Sequence, residues 1–184
     1  MNGDLSHLPA RNPKSGDIQV IIDTPKGHRN KLKYDEEKKV FKLSGVLPVG
    51  SSFPYDFGFV PSTRGEDGDP IDVLVLLDES VSVGCLIEAR LIGVIEAEQS
   101  ENGQTFRNDR LLAVASVSED YSEVRSLKDL NPHLLKEIEH FFVSYNQVRG
   151  RKFKPTGRFG PQRALALLER ASNGKSQGKH KRRA

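Results

Sequence analysis

Apolar residues alternate with polar ones along the first two thirds of the chain and recur at helical spacing in the last third. Ile18, Val20 and Ile22 occupy every second position, which predicts a strand over residues 17–23. Val73–Leu77 is a continuous apolar run, so we predict a strand that is buried on both faces. The same patterns predict a charged hairpin over 31–43, an extended aromatic segment over 53–61, strands over 86–95 and 111–117, and a polar linker over 96–110 with a turn at Asn102-Gly103.

The last third of the chain predicts two helices. Asn131-Pro132 is typical of a helix start, because Asn caps free backbone N–H groups and Pro is tolerated in the first turn. Gly150 can end this helix, and a second helix is predicted over 161–171 with a stop near Asn173-Gly174. Strands followed by helices predict an α+β fold. The first helix carries an apolar stripe of Leu134, Leu135, Ile138, Phe141, Phe142, Tyr145 and Val148.

The 184 residues suit one domain, which we place at 17–172. Residues 1–16, with two prolines and two glycines, are predicted to form a flexible arm, and residues 173–184 a disordered basic tail. The tail holds five Lys and Arg residues, without which 23 basic residues face 25 acidic ones. The positive net charge is therefore a property of the tail, which can contact acidic partners weakly, and it does not predict a nucleic-acid-binding domain.

The composition indicates a protein that works in the cytoplasm and not in a membrane. No apolar run approaches the roughly 20 residues of a membrane span, and the first residues lack a signal-peptide pattern. Cys85 is the only cysteine, which is compatible with a reducing compartment. We therefore expect a cytoplasmic protein without membrane contact.

Three aspartates directly precede the buried strand of residues 73–77. Asp67, Asp69 and Asp72 fall within six residues, in a turn that contains Gly68 and Pro70. Carboxylates this close repel one another unless a cation or a proton intervenes. Oxygen ligands suit Mg²⁺ or Mn²⁺, and Mg²⁺ commonly shares phosphate oxygens. A divalent-metal site that handles phosphate is one interpretation, and an acidic surface turn is the other.

The stretch Asp67-Gly68-Asp69-Pro70-Ile71-Asp72-Val73 resembles the complete signature of the soluble family I inorganic pyrophosphatases. The resemblance extends from about Asp17 to about Ala171. It implies a small, twisted, five-stranded OB-like barrel with helices outside, hydrolysis of pyrophosphate with Mg²⁺ (Mn²⁺ as an alternative), and a homo-oligomer, usually a hexamer. Beyond the signature, the residues that carry the resemblance are Val20–Gly27, Arg29–Lys31, Phe53–Pro61, Gly93-Val94, Leu112–Val114, His140–Phe142 and Tyr145.

The resemblance assigns roles to individual residues. Asp67 and Asp72 match metal ligands, and Asp69 matches the acid that takes the proton from the attacking water. Phosphate-binding positions are matched by Lys31, by Tyr145 and by Arg110, which stands where a lysine is usual. Asp23 stands where the family has a supporting glutamate.

Several other positions depart from the family pattern. Lys33 replaces a glutamate, Gly45 replaces a phosphate-binding arginine, and Asn146 replaces a lysine. Two tyrosines are Phe53 and Phe57, and two metal-binding aspartates are Gln99 and Asn108. Compensation could come from Glu96, Glu98, Glu101 or Asp109 for the carboxylates, and from Arg149, Arg151, Lys152, Lys154 or Arg158 for the phosphate contacts. The sequence leaves three functions open: an attenuated pyrophosphatase, a non-catalytic binding or structural protein, and a phosphohydrolase with another substrate.

Overall fold

A closed ring of five strands forms the centre of the protein, as the computed structural model shows for residues 4–180, with side chains described through residue 172. The strands are β1 Ile18–Thr24, β2 Asn30–Asp35, β3 Val40–Val46, β4 Asp56–Phe59, β5 Asp72–Leu76, β6 Leu86–Glu101, β7 Gln104–Arg107, β8 Arg110–Ala115 and β9 Lys152–Phe159. Strands β1, β4, β5, β8 and β6 follow one another around the ring, and β6 pairs back with β1. All neighbours in the ring are antiparallel except β5 and β8, which are parallel.

Two helices cover this ring from different sides. Helix α1 spans Pro132–Val148, and helix α2 spans Pro161–His180. Strand β5 contributes alternate residues to two apolar clusters: Leu74 and Leu76 join the cluster under α1, whereas Val73 and Val75 join the one under α2. Burial on both faces explains why this strand is apolar throughout. The α+β class predicted from the order of strands and helices is confirmed, as is the five-stranded arrangement that the resemblance implies.

The predicted hairpin, aromatic segment and first helix are confirmed in their main features. Strands β2 and β3 pair as a separate two-stranded sheet. The Asn131 side chain accepts a hydrogen bond from the His133 N–H, and Gly150 adopts a positive φ of 73° after the helix. Val148 is an exception, because it is 62% exposed and lies outside the buried stripe.

The prediction of a polar linker over residues 96–110 was wrong, because most of this segment forms strands. Strand β6 continues to Glu101 and pairs with β7 through the turn at Asn102-Gly103, whose φ values of 51° and 78° fit the predicted turn. Its polar residues reflect a strand whose end projects beyond the ring. Strand β9 was also missed, because Pro155 and Gly157 weaken the strand pattern and its pairing with β6 is a long-range contact.

The predicted end of the second helix at residue 171 was wrong, since α2 continues to His180. Gly and Asn lower helix propensity by about 1 kcal/mol or less, so Asn173-Gly174 does not impose a stop. The division into an arm, a domain and a tail remains a prediction. Residues 4–16 lie against the ring, where Leu5 and Leu8 pack near Tyr34. Residues 1–3 and 181–184 of the predicted arm and tail lie outside the described residues.

Candidate functional site

Asp72 and Arg110 lie side by side because they are the first residues of neighbouring parallel strands, β5 and β8. The register pairs Val73 with Leu111, which aligns the two strand starts. Arg110 Nη1 lies 2.8 Å from Asp72 Oδ2. This ion pair fixes one wall of the site.

The Arg110 guanidinium is buried and lies close to two aromatic rings. Its central carbon lies 5.0 Å from the Phe142 ring centroid and 5.4 Å from that of Phe153. Nη1 also donates to the Asn108 side-chain oxygen, and Asn108 Nδ2 donates to Gln99 Oε1 at 2.9 Å. The two amides at family aspartate positions therefore hold each other and orient Arg110, instead of offering two carboxylates to a cation.

The aspartate turn places Asp67 and Asp69 in different environments. Asp67 Oδ1 accepts a hydrogen bond from the Asp69 backbone N–H at 3.1 Å, and Gly68 adopts the positive φ of 84° that the turn requires. Asp69 Oδ2 lies 2.6 Å from Lys33 Nζ. The family glutamate position therefore carries a cation that reaches the central aspartate of the signature.

Desolvation and two neighbouring carboxylates disfavour the charged form of Asp67. Desolvation by the surrounding protein raises the pKa of the Asp67 carboxyl to about 6, and the negative charges of Asp72 and Asp69 contribute in the same direction. No group of three His, Cys, Asp or Glu side chains is arranged as a complete metal cage in the part of the chain that the structure describes. Two carboxylates are nevertheless sufficient for Mg²⁺, which retains waters and takes phosphate oxygens as further ligands. Asp67 and Asp72 are therefore the carboxylates of this region that could hold Mg²⁺ together with water and phosphate oxygens.

Asp23 on β1 and Lys31 on β2 form a buried ion pair. Lys31 Nζ lies 2.6 Å from Asp23 Oδ1, and the Asp23 side chain is 6% exposed. Burial raises the pKa of Asp23 to about 6, although the charge of Lys31 opposes the rise. Lys31 Nζ also lies 4.2 Å from the Phe57 ring centroid and 5.6 Å from that of Phe53. These phenylalanines keep the aromatic surface around the lysine but cannot donate a hydrogen bond to phosphate.

Tyr145 connects the aromatic wall to a further arginine. Its ring packs 5.7 Å from Phe53, centroid to centroid, and burial raises the pKa of its hydroxyl. Arg149 Nη1 donates to the Tyr145 hydroxyl at 3.0 Å. By contrast, Asn146 donates its side-chain N–H to the Phe142 carbonyl within α1 and is 2% exposed, so it points into the helix packing.

A cavity of about 270 Å³ opens beside the aspartate turn, between β8 and α2. Asp67, Asp72, Asn108 and Asp109 contribute to its lining. Asp109, the neighbouring candidate for the carboxylate missing at Asn108, accepts a hydrogen bond from Arg107 at 2.9 Å and so already has a cation partner.

The remaining acidic candidates for compensation are also accounted for. Glu96 contacts Arg163 and Arg107 at 2.6 and 3.0 Å, and Glu101 contacts Arg151 at 2.9 Å. Glu98 is exposed on β6. None of these three joins Asp67 and Asp72 in the cavity lining.

The residues predicted to form the site thus fall into connected groups. Asp72 contacts Arg110, Asp23 contacts Lys31, and Asp69 follows Asp67 in the turn. Sequence reasoning missed the contact of Lys33 with Asp69, and it left Arg149 among five equal basic candidates. The opposite charges of Lys33 and Asp69 were the available signal for their contact. The missing side chain at Gly45 was the available signal for Arg149, because it leaves space that a basic side chain can fill.

Comparisons with known proteins place these observations in a wider context. A model of the family described as inorganic pyrophosphatase matches residues 20–174. The inorganic pyrophosphatase of Nostoc sp. is 38% identical over 168 residues, which cover 91% of this chain and 96% of that protein. The Methanosarcina acetivorans enzyme is 36% identical over 154 residues, covering 84% and 89% respectively.

A solved structure extends the similarity to the fold. The crystal structure of inorganic pyrophosphatase from Thermus thermophilus matches with a TM-score of 0.87 and 28% identity, covering 95% of this chain and 99% of that one. The similarity therefore extends well beyond the aspartate signature. In the described part of the chain, no helix is both long and apolar enough to cross a membrane.

Proposed function

Because the chain belongs to the inorganic pyrophosphatase family, we propose that it hydrolyses inorganic pyrophosphate to two orthophosphates. The observation that carries the proposal is family membership over nearly the whole chain, together with the complete Asp67, Asp69 and Asp72 signature at the start of β5. Hydrolysis of a phosphoric anhydride requires neutralisation of the phosphates and an activated water. The residues of the site can be assigned to these two tasks.

Lys31, Arg110 and Tyr145 are the proposed phosphate-binding residues. Lys31 supplies an ammonium and Tyr145 a hydroxyl, and Arg110, which contacts Asp72 of the signature, carries a planar guanidinium of the kind that suits phosphate oxygens. Asp23 supports Lys31 by holding its ammonium at 2.6 Å. The Phe53 and Phe57 rings limit the freedom of the lysine stem, so the charge is positioned before the substrate arrives.

Asp67 and Asp72 are the proposed ligands of Mg²⁺, which would neutralise phosphate oxygens and favour deprotonation of the attacking water. The raised pKa of Asp67 supports this assignment, since a cation would relieve the repulsion that contributes to it. Mn²⁺ has the same preference for oxygen ligands and is the alternative ion.

Asp69 is the proposed general base. Its carboxylate would take a proton from water as the water oxygen forms a bond to one phosphorus. The bridging oxygen then leaves with the second phosphate. Lys33 Nζ contacts Asp69 Oδ2 at 2.6 Å. The contact lies on the surface and is therefore easily broken.

A homo-oligomer, with the hexamer as the expected form, and a cytoplasmic location complete the proposal. The oligomer follows from the family resemblance, and the location from the single cysteine, which is compatible with a reducing compartment. Light scattering at micromolar concentration that detects a monomer alone would contradict the oligomer.

A comparison of kcat and KM tests the residue roles. Asp69→Asn keeps the shape of the side chain and removes the base, so kcat should fall by ~10²-fold or more. Lys31→Ala should act mainly by raising KM. Asp120→Asn, an exposed aspartate outside the site, is the matched control and should keep both constants. An unchanged kcat in Asp69→Asn would reject Asp69 as the base.

A further inference from the structure

Arg149 lies directly after α1, and its guanidinium contacts Tyr145. The central carbon lies 5.3 Å from the Tyr145 ring centroid, and Nη1 donates to the Tyr145 hydroxyl. Nη2 donates to the Ser44 carbonyl on β3 at 3.3 Å. The side chain therefore bridges the end of α1 and the β2–β3 hairpin.

The guanidinium covers Gly45, the position at which the family resemblance places a phosphate-binding arginine. A Cβ atom at Gly45 would lie 2.6 Å from Arg149 Nη1, so any side chain at position 45 would compete with Arg149 for space. Gly45 is also the direct cross-strand partner of Lys31. Directly opposed residues project from the same face of a strand pair, with Cβ atoms about 5 Å apart. The Arg149 guanidinium consequently lies on the face of the hairpin that also carries Lys31, in the space that Gly45 leaves open.

The charge of Arg149 is available for an anion. Among the residues whose side chains the structure describes, no carboxylate forms an ion pair with it. Arg151 and Arg158 differ in this respect, because Glu101 and Glu139 neutralise them at 2.9 and 2.7 Å. A guanidinium bound only to a hydroxyl and a carbonyl keeps N–H donors in the planar arrangement that suits phosphate oxygens.

Two of the other basic candidates point away from this region. Lys152 and Lys154 flank Phe153 on β9, and Phe153 is buried in the cluster under α1. Successive side chains of a strand project to opposite faces, so both lysines lie on the outer face.

We propose that Arg149 binds a phosphate group of the substrate and takes the place of the arginine that is absent at position 45. This inference rests on the proposed pyrophosphate hydrolysis. A purely structural role is the alternative, in which Arg149 only ties α1 to the β2–β3 hairpin. Both roles predict some loss of stability on substitution, whereas only the first predicts weaker binding of a diphosphate.

The test measures the affinity of Arg149→Ala for methylenediphosphonate, a diphosphate analogue that cannot be hydrolysed at its bridge. Calorimetry in the presence of Mg²⁺ should show a loss of about tenfold or more, the scale of one charge-assisted hydrogen bond. Arg149→Lys should fall between Arg149→Ala and the parent. Arg158→Ala is the matched control, because it removes an arginine that ties α1 to β9 through Glu139, and its affinity should match the parent.

A second experiment, which moves the guanidinium to another position, distinguishes phosphate binding by Arg149 from a purely structural role. Gly45→Arg combined with Arg149→Ala moves the guanidinium from the end of α1 to β3 and should recover affinity for the analogue relative to Arg149→Ala alone. Affinity within about twofold of the parent in Arg149→Ala, together with a lower melting temperature, would overturn the inference, as would relocation without any recovery. Phosphate release by the parent protein tests the proposed function separately from the role of Arg149. If the parent releases phosphate from pyrophosphate and Arg149→Ala binds the analogue as well as the parent does, only the role of Arg149 is rejected.

Discussion

Substitution of Asp23 by Asn tests whether the cost of burying the Asp23 charge exceeds the stabilisation from its ion pair with Lys31. Asp23 is 4% exposed, and its Oδ1 atom accepts hydrogen bonds from Lys31 Nζ at 2.6 Å and Thr24 Oγ1 at 2.7 Å. The Asn oxygen can accept both bonds, so the substitution removes the charge and retains the shape. Burial raises the pKa of Asp23 from 3.8 to about 6, which means that the folded protein disfavours the charged carboxylate.

The pH dependence follows from this direction. A carboxyl whose pKa is higher in the folded state contributes stability that is fully present below about pH 4 and is lost as the pH rises through about 6. The difference between 3.8 and about 6 corresponds to about 3 kcal/mol. The unfolding free energy of the parent relative to Asp23→Asn should therefore fall by about 3 kcal/mol between about pH 4 and pH 7.

Urea denaturation across this pH range, with a chelator and at one protein concentration, measures the difference. Asp35→Asn is the matched control, because hydrogen bonding by Lys42 lowers the pKa of Asp35 to about 2 and places its titration below the tested range. A parent that gains stability relative to Asp23→Asn as the pH rises would refute the reasoning, since the attraction of Lys31 would then exceed the cost of burial.

Three further predictions concern stability and the termini. Phe142→Ala should lower the free energy of unfolding, measured by urea denaturation, by about 3–5 kcal/mol, because Phe142 is 1% exposed and packs against Phe57 and Phe153. Val148→Ala is the control: this site is 62% exposed, so the free energy of unfolding should change by less than about 0.5 kcal/mol. A double-mutant cycle of Lys33→Ala and Asp69→Ala should give a coupling below about 1 kcal/mol, because both side chains are about half exposed, and a larger coupling would show that the pair is a structural element. Deletion of residues 173–184 should leave folding and phosphate release intact because the segment lacks large apolar residues, and a truncated protein that no longer folds would contradict this.

Local chemistry made much of the fold predictable. The apolar run of β5, the Asn131 cap of α1 and the Asn102-Gly103 turn each depend on residues that are adjacent in sequence. Strand β9 depends instead on β6, more than 50 residues away, and has only one buried apolar side chain, Phe153. Such a strand has no local period to reveal it.

The site shows the same division between local and long-range information. The signature identified Asp67, Asp69 and Asp72 because they lie together in the sequence. The contacts of Lys33 with Asp69 and of Arg149 with Ser44 join residues that are 36 and 105 positions apart. Gln99, Asn108 and Gly45 read as isolated losses in the sequence. In the folded protein, the two amides support Arg110 and the glycine makes room for Arg149.

The most direct test of the proposed function is phosphate release from pyrophosphate by the purified protein, with Mg²⁺ and with excess chelator. Pyrophosphate hydrolysis at this site should release two phosphates per pyrophosphate, require the metal, and release little phosphate from a simple phosphate monoester. The double variant Asp67→Asn with Asp72→Asn should be inactive under the same conditions. A folded parent that releases no phosphate from pyrophosphate, or that prefers the monoester, would contradict the account and leave a binding protein or a different phosphohydrolase.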